Sequence, residues 1–179
     1  QARAGERAVH VFHRGRAVFG ARGVHPVTVV DRWGSWGGMA EEPGSIRLTT
    51  ERGQWSITHA EVIEKGPLRG CLAVRFETDR AHFDLELRLE SGTEAVSVDA
   101  RIFTDLEGAR IKLVLPGATS LTSEVPGGRI TRTAQGELPL SRWAEARDGR
   151  RGFTLVNDTL SACDLENGDL RLTLARATR

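Results

Sequence analysis

The stretch Phe83-Asp84-Leu85-Glu86-Leu87-Arg88-Leu89-Glu90 decides the fold. Apolar and charged residues alternate through it without a break. After Ser91-Gly92-Thr93-Glu94-Ala95 the alternation resumes as Val96-Ser97-Val98-Asp99-Ala100-Arg101-Ile102. Successive strand side chains point to opposite faces, so each run presents one apolar face and one wet face. Two such runs joined by a short Gly-containing connection predict an antiparallel hairpin lying on a core.

Weaker versions of the same pattern extend outward in both directions. Residues 9–13, 24–30, 46–50, 55–62, 68–78, 111–115, 130–133, 153–156 and 170–174 read as strands. Turn-formers separate them, among them Gly66-Pro67, Pro116-Gly117, Pro126-Gly127-Gly128 and Asn167-Gly168-Asp169. Nowhere do apolar residues keep a helical spacing over three turns. Many short strands with turn chemistry between them predict an all-β fold with few or no helices, an antiparallel β-sandwich. No linker-like composition and no fixed repeat interrupts the chain, so residues 1–179 are expected to form a single domain.

Composition narrows the function classes. With 39% hydrophobic residues and 20 glycines in 179, the chain is too apolar for a disordered tail. No apolar run approaches the roughly 20 residues of a membrane-spanning helix, so no membrane partner is expected. Lys+Arg of 25 against Asp+Glu of 24 leaves a net charge of +1, no field to attract nucleic acid. Lys65 and Lys112 are the only lysines and tyrosine is absent, which reads as a GC-rich bacterial genome. Cys71 and Cys163 are too few for a disulfide framework, and two free thiols in a reducing cytoplasm are favoured over a bridge. A cytoplasmic location follows from that reading. The opening Gln1-Ala2-Arg3-Ala4-Gly5 has no initiator methionine, as expected of a fragment of a larger protein.

Few motifs carry chemistry. His10-Val11-Phe12-His13 has the His-x-x-His spacing, but on a strand positions three apart face opposite ways and cannot share an ion. Asp31-Arg32-Trp33-Gly34-Ser35-Trp36 sets two indoles beside a carboxylate in a Gly-rich loop. A flat aromatic face beside a hydrogen-bonding carboxylate suits the C–H face and hydroxyl edge of a sugar. Asp31, Trp33 and Trp36 are therefore the carbohydrate-binding candidates; the competing reading has the indoles folded back to plug the end of a sandwich. The carboxylates that alternate with apolar residues along strands belong, on this pattern, to the solvated face, and no glycosidase pair can be chosen among them. No Gly-x-Ser-x-Gly elbow or Cys/His constellation occurs, so no catalytic residue and no metal ligand is assigned. The charge-dense, mixed-sign segment 142–151 reads as a solvated loop.

The second half contains an ordered series of motifs: Glu64-Lys65-Gly66-Pro67-Leu68-Arg69, the 83–89 and 96–102 strands, Lys112-Leu113, Pro139-Leu140-Ser141-Arg142-Trp143, Gly152-Phe153-Thr154-Leu155-Val156-Asn157-Asp158 and Gly168-Asp169-Leu170-Arg171-Leu172-Thr173-Leu174-Ala175-Arg176. From about residue 61 onward this resembles the C-terminal β-sandwich region of the retaining α-mannosidases of glycoside hydrolase family 38. The resemblance implies a supersandwich of the galactose mutarotase-like kind. It also implies a function: a non-catalytic accessory domain that packs on an N-terminal catalytic domain of the same polypeptide and contributes to the cleft for a mannoside. The aspartate nucleophile and a divalent metal, zinc, are expected in that catalytic domain and not in this chain, which alone is expected to be inactive. Asn157, Asp158, Arg171 and Arg176 match the family pattern and are expected to fix the fold and its docking surface. After Asn157-Asp158 the chain departs from the family's aromatic-rich continuation with Thr159-Leu160-Ser161-Ala162. Two alternatives remain at this stage: a stand-alone carbohydrate-binding module using Trp33 and Trp36, and a mutarotase-type sugar epimerase using His59 or His82 with a glutamate base.

Overall fold

The computed structural model describes residues 1–33, 46–133, 136–149 and 151–178. Within them the chain is all-β: sixteen strands and no helix among the described residues. They pack as two compact units, one of Gln1–His25 and Gly53–Leu106, the other of Pro26–Arg52 and Glu107–Arg179.

In the first unit, β1 (Ala2–Ala4), β2 (Val9–His13) and β3 (Arg16–Ala17) form a small sheet in sequence order. The strands β5 (Ser56–Lys65), β6 (Arg69–Glu77), β7 (Ala81–Glu90) and β8 (Val96–Thr104) form a four-stranded antiparallel meander. The predicted hairpin is there, with Phe83 opposite Ile102, Leu85 opposite Ala100 and Leu87 opposite Val98. The apolar face of the meander is built on cross-strand pairs Phe76–Phe83, Val74–Leu85 and Leu72–Leu87, all buried. The two phenyl rings lie stacked, with centroids 5.9 Å apart.

The second unit holds a five-stranded sheet in the order β12 (Glu137–Pro139), β15 (Ala162–Glu166), β16 (Asp169–Ala177), β9 (Ala109–Pro116), β4 (His25–Val30). A four-stranded sheet, in the order β11 (Gly128–Arg132), β10 (Ser120–Val125), β13 (Trp143–Asp148), β14 (Arg151–Val156), completes it. The β15–β16 hairpin turns at Asn167 and Gly168, with φ of 52° and 79°. A two-residue turn with both positions left-handed matches the natural strand twist, and Asn-Gly is the pair that adopts it most readily. β9 is buried along its whole length, as a strand covered on both faces must be.

Several expectations are corrected here. The all-β content stands, but the strands do not form a β-sandwich of the galactose mutarotase-like kind. They are shared among four sheets, two in each unit. The alternating pattern specifies how neighbours in sequence pair, and it is silent on which sheets face one another. Pairings such as β9 with β16 span about sixty residues and leave no local signal. Residues 46–50 do not form a strand; they run as an extended cover, with Leu48 buried in a cluster with Val27, Val29 and Val114. The segment read as a solvated loop at 142–151 lies mostly in the β13–β14 hairpin, in which Ala144 and Ala146 are fully buried.

Truncating the ring at the centre of the meander tests the first unit. Phe83→Ala is expected to cost about 3–5 kcal/mol through lost burial plus the cavity left behind, read as a lowered urea midpoint at unchanged m-value.

Candidate functional site

The densest chemistry lies inside the second unit, on one face of the five-stranded sheet. Arg110 and Lys112 of β9, Asp164 of β15, Arg171 of β16 and Asp31 just past β4 are all buried. Lys112 is fully enclosed, and its ammonium donates to Glu137 Oε1 at 2.5 Å, Asp164 Oδ2 at 2.7 Å and Thr173 Oγ1 at 2.9 Å. All three of its protons are thereby used. Arg171 donates from Nε and Nη2 to the two oxygens of Asp164, at 2.6 and 3.0 Å, and from Nη2 to the Leu48 carbonyl, which ties the 46–50 cover to the sheet. Arg110 bridges Glu137 and Asp31 at 2.8 Å each. At the rim, Arg47 chelates Glu166 through Nε and Nη2.

Asp31 closes the network. Its Oδ2 accepts from Arg110 Nε at 2.8 Å and Arg176 Nε at 2.7 Å, and its Oδ1 from the Trp33 amide at 3.0 Å. Arg176 and Arg110 are direct cross-strand partners, so without a shared carboxylate two like charges would face each other. A β-bulge brings Arg176 there. The register slips between Thr173 and Ala175, so Leu174 is unpaired and the alternation inverts beyond it. In an unbroken strand Arg176 would share the face of Leu170 and Leu172; the slip returns it to the face of Arg171.

Burial by itself raises the Asp31 pKa, but the hydrogen bonds from Arg110, Arg176 and the Trp33 amide outweigh it and hold the carboxyl below its ordinary value. Glu166 is held below its ordinary value chiefly by its hydrogen bonds from Arg47. Every buried side-chain polar atom among the described residues has a partner, so the network is fully satisfied.

The sequence-predicted residues fall into three places. Asp31, Arg171 and Arg176 meet in this network, which joins a carbohydrate-binding candidate to two residues expected to be structural. Asp31 is 2% exposed and held by two arginines. The Trp33 side chain is 44% exposed, while its backbone is fixed at both ends, its amide to Asp31 and its carbonyl to Arg176. Trp36 lies outside the described residues. Asn157 stands apart, organising the loop after β14: its Nδ2 donates to the Ser141 carbonyl and its Oδ1 accepts from the Leu160 amide, while Asp158 is exposed. His59 is exposed, and His82 stacks on Phe103 with centroids 4.4 Å apart.

Lys112, Glu137, Asp164 and Arg110 were missed as members of a site. The available signal was Lys112 within the apolar run Ile111-Lys112-Leu113-Val114-Leu115, with Arg110 just before it, which a water-facing alternation does not explain. Both cysteines are buried and free, and burial pushes the Cys163 thiol up to about 12. Among the described residues no group of three or more His, Cys, Asp or Glu side chains is placed to hold a metal ion, so no step is routed through one.

Among the described residues the chain is all-β and its buried side-chain polar atoms are satisfied within the chain. The family described as "Glycosyl hydrolases family 38 C-terminal domain" matches residues 25–179, and the chain belongs to that family. A comparison with curated protein sequences finds no match. Among solved structures, the chain is similar to a glycosyl hydrolase family 38 protein from Enterococcus faecalis, at 11% identity and TM-score 0.70, covering 96% of this chain and 24% of that one. It is likewise similar to an α-mannosidase from Enterococcus faecalis V583, at 11% identity and TM-score 0.67, covering 86% and 22%. The chain thus spans about a quarter of the length of these structures.

Two measurements test the network. Lys112→Met leaves Glu137 and Asp164 buried without their cation and is expected to cost about 3–5 kcal/mol in urea unfolding. Acid should act through Asp31 and Glu166. Their folded pKa values are depressed, so their contribution is fully present above the ordinary carboxylate range and is lost as pH falls through the folded values. Urea midpoints should therefore be flat from about pH 7 to 5 and decline below about pH 4. Asp31→Asn should lower the neutral midpoint and flatten the acid decline.

Proposed function

We propose that this chain is the non-catalytic accessory domain of an α-mannosidase-like retaining glycoside hydrolase. It packs on the N-terminal catalytic domain of the same polypeptide and forms part of the wall of its mannoside cleft. The observation that carries this reading is the family match over residues 25–179. The internal use of the buried charges supports it: the carboxylates of the second unit hold arginine and lysine in a rigid sheet rather than converging on a reacting bond. In the intact enzyme the glycosyl-enzyme chemistry, its aspartate nucleophile and its divalent metal, zinc, would reside in the catalytic domain. This chain's part is to present stiff strands and end loops to that domain.

The exposed indole of Trp33 favours a second reading, a free-standing carbohydrate-binding module. It differs from the sequence expectation in one respect, because Asp31 already serves Arg110 and Arg176.

The isolated chain should not turn over an aryl α-mannoside, and it should bind and restore activity to a catalytic fragment of the same protein supplied in trans. Turnover by the chain alone, abolished by replacing one of its own acids, would overturn the accessory role. Saturable quenching of tryptophan fluorescence by mannan, lost in Trp33→Ala, would shift the reading to the module.

A further inference from the structure

Among the described residues, β8 is the longest edge strand with neither a bulge nor a proline. β5, at the opposite edge of the same meander, is broken by two register slips, a common way to guard an edge against pairing. Nothing comparable guards β8. Its residues 97–101 are all exposed, and Val98 is 51% exposed although it lies on the apolar face with Phe83, Leu85 and Leu87.

The register shows which backbone groups of β8 are free. The Asp105 amide donates to the Arg80 carbonyl, one rung beyond the pair Ala81–Thr104. In an antiparallel ladder, the residues that bond a given neighbour alternate along the strand. Residues 97, 99, 101 and 103 therefore bond β7, while 96, 98, 100, 102 and 104 turn their N–H and C=O groups outward.

The side chains along this edge have the same character read in either direction. About Ala100, Asp99 is balanced by Arg101 and Val98 by Ile102. A second β8 laid antiparallel, with Ala100 opposite Ala100, sets each Asp99 against an Arg101 and each Val98 against an Ile102. Moving the two-fold axis by one residue either way would set Asp99 against Asp99 or Arg101 against Arg101. Both charged groups have capacity to spare. Asp99 is bonded by Arg88 through Oδ2 alone, and Arg101 donates no hydrogen bond among the described residues.

We propose that β8 is a self-pairing edge that joins two copies of this chain about a two-fold axis at Ala100. Residues 98, 100 and 102 of each copy exchange backbone hydrogen bonds with 102, 100 and 98 of the other, and the two meanders become one continuous sheet. The crossed Asp99–Arg101 pairs fix the register, and Ile102 of each copy covers Val98 of the other. The same patch is used on both sides, so the assembly closes at two copies. The contact is small, so the dimer is weak, with a Kd of about 100 µM. This pairing is independent of the accessory-domain reading.

Sedimentation equilibrium of the intact protein, from about 10 µM to about 1 mM, measures the association. Arg101→Asp leaves only acids at the two charged positions and Asp99→Arg leaves only bases, so each variant alone should dimerise about tenfold more weakly. Mixed in equal amounts, the two should regain the original affinity, because every acid again meets a base. Ala100→Pro removes an amide that β7 does not use, so it should abolish the dimer while keeping a strand-rich far-ultraviolet spectrum. No dimer at the highest concentration, a dimer indifferent to these variants, or a mixture no tighter than its parts overturns the proposal. So does capture of the edge by the catalytic fragment, read as loss of binding to that fragment in Ala100→Pro while the unmodified chain stays monomeric.

Discussion

The second unit depends on an ammonium group that has no route to water. Lys112 sits in a strand covered on both faces, and its three protons go to Glu137, Asp164 and Thr173. A buried charge is tolerated only where partners replace its hydration, and each partner must in turn be satisfied. That requirement propagates outward: Asp164 calls for Arg171, Glu137 for Arg110, Arg110 for Asp31, and Asp31 for Arg176. Strands drawn from residues 25–30, 109–116, 137–139, 162–166 and 169–177 are thereby held in one arrangement. Apolar side chains alone would tolerate alternatives; directional bonds to a fixed set of atoms do not. The network is best regarded as a device for specificity of pairing, since the net stabilisation from buried ion pairs is modest.

Local order was legible in the sequence, and distant order was not. The Phe83–Leu89 and Val96–Ile102 alternation specified a hairpin, because a strand period of two and a short turn are local properties; Phe83, Leu85 and Leu87 are buried as the pattern requires, whereas Val98 and Ala100 on the second strand are exposed. The Asn167-Gly168 turn was equally plain. The sheet assignments were not, because β4, β9 and β16 lie far apart in the chain and the same apolar pattern serves any sheet. The rule that alternating acids face water held for Asp84 and Glu86 of the meander. It failed for Asp164 and Glu137, which take up cations of β9 and β16 in the same sheet, and for Glu166, which is covered by Arg47. Only the unexpected Lys112 within an apolar run hinted at the difference. At the candidate sugar loop, a carboxylate beside an indole in sequence carries no mark of the arginines that reach Asp31 from β9 and β16.

The two units use charged residues for different ends. In the second they are interior, saturated and structural. On the outer face of the β5–β8 meander they are paired in rows yet exposed, with spare lone pairs, an open guanidinium and an aromatic ring beside them. Fold alone does not assign a chemistry to either arrangement.

The slip at Leu174 has a consequence for how this sequence can diverge. Side chains near it can be exchanged for others of similar size, because the backbone parity, rather than any one letter, delivers Arg176 to Asp31. The same parity tolerates the loss of one letter: with Leu174 deleted, Ala175 and Arg176 would follow Thr173 in an unbroken ladder opposite Ile111 and Arg110, and the guanidinium would still arrive on the side of Asp31. What this stretch has to keep is the pairing of the last rungs of the ladder, and a one-letter gap at the slip is compatible with it.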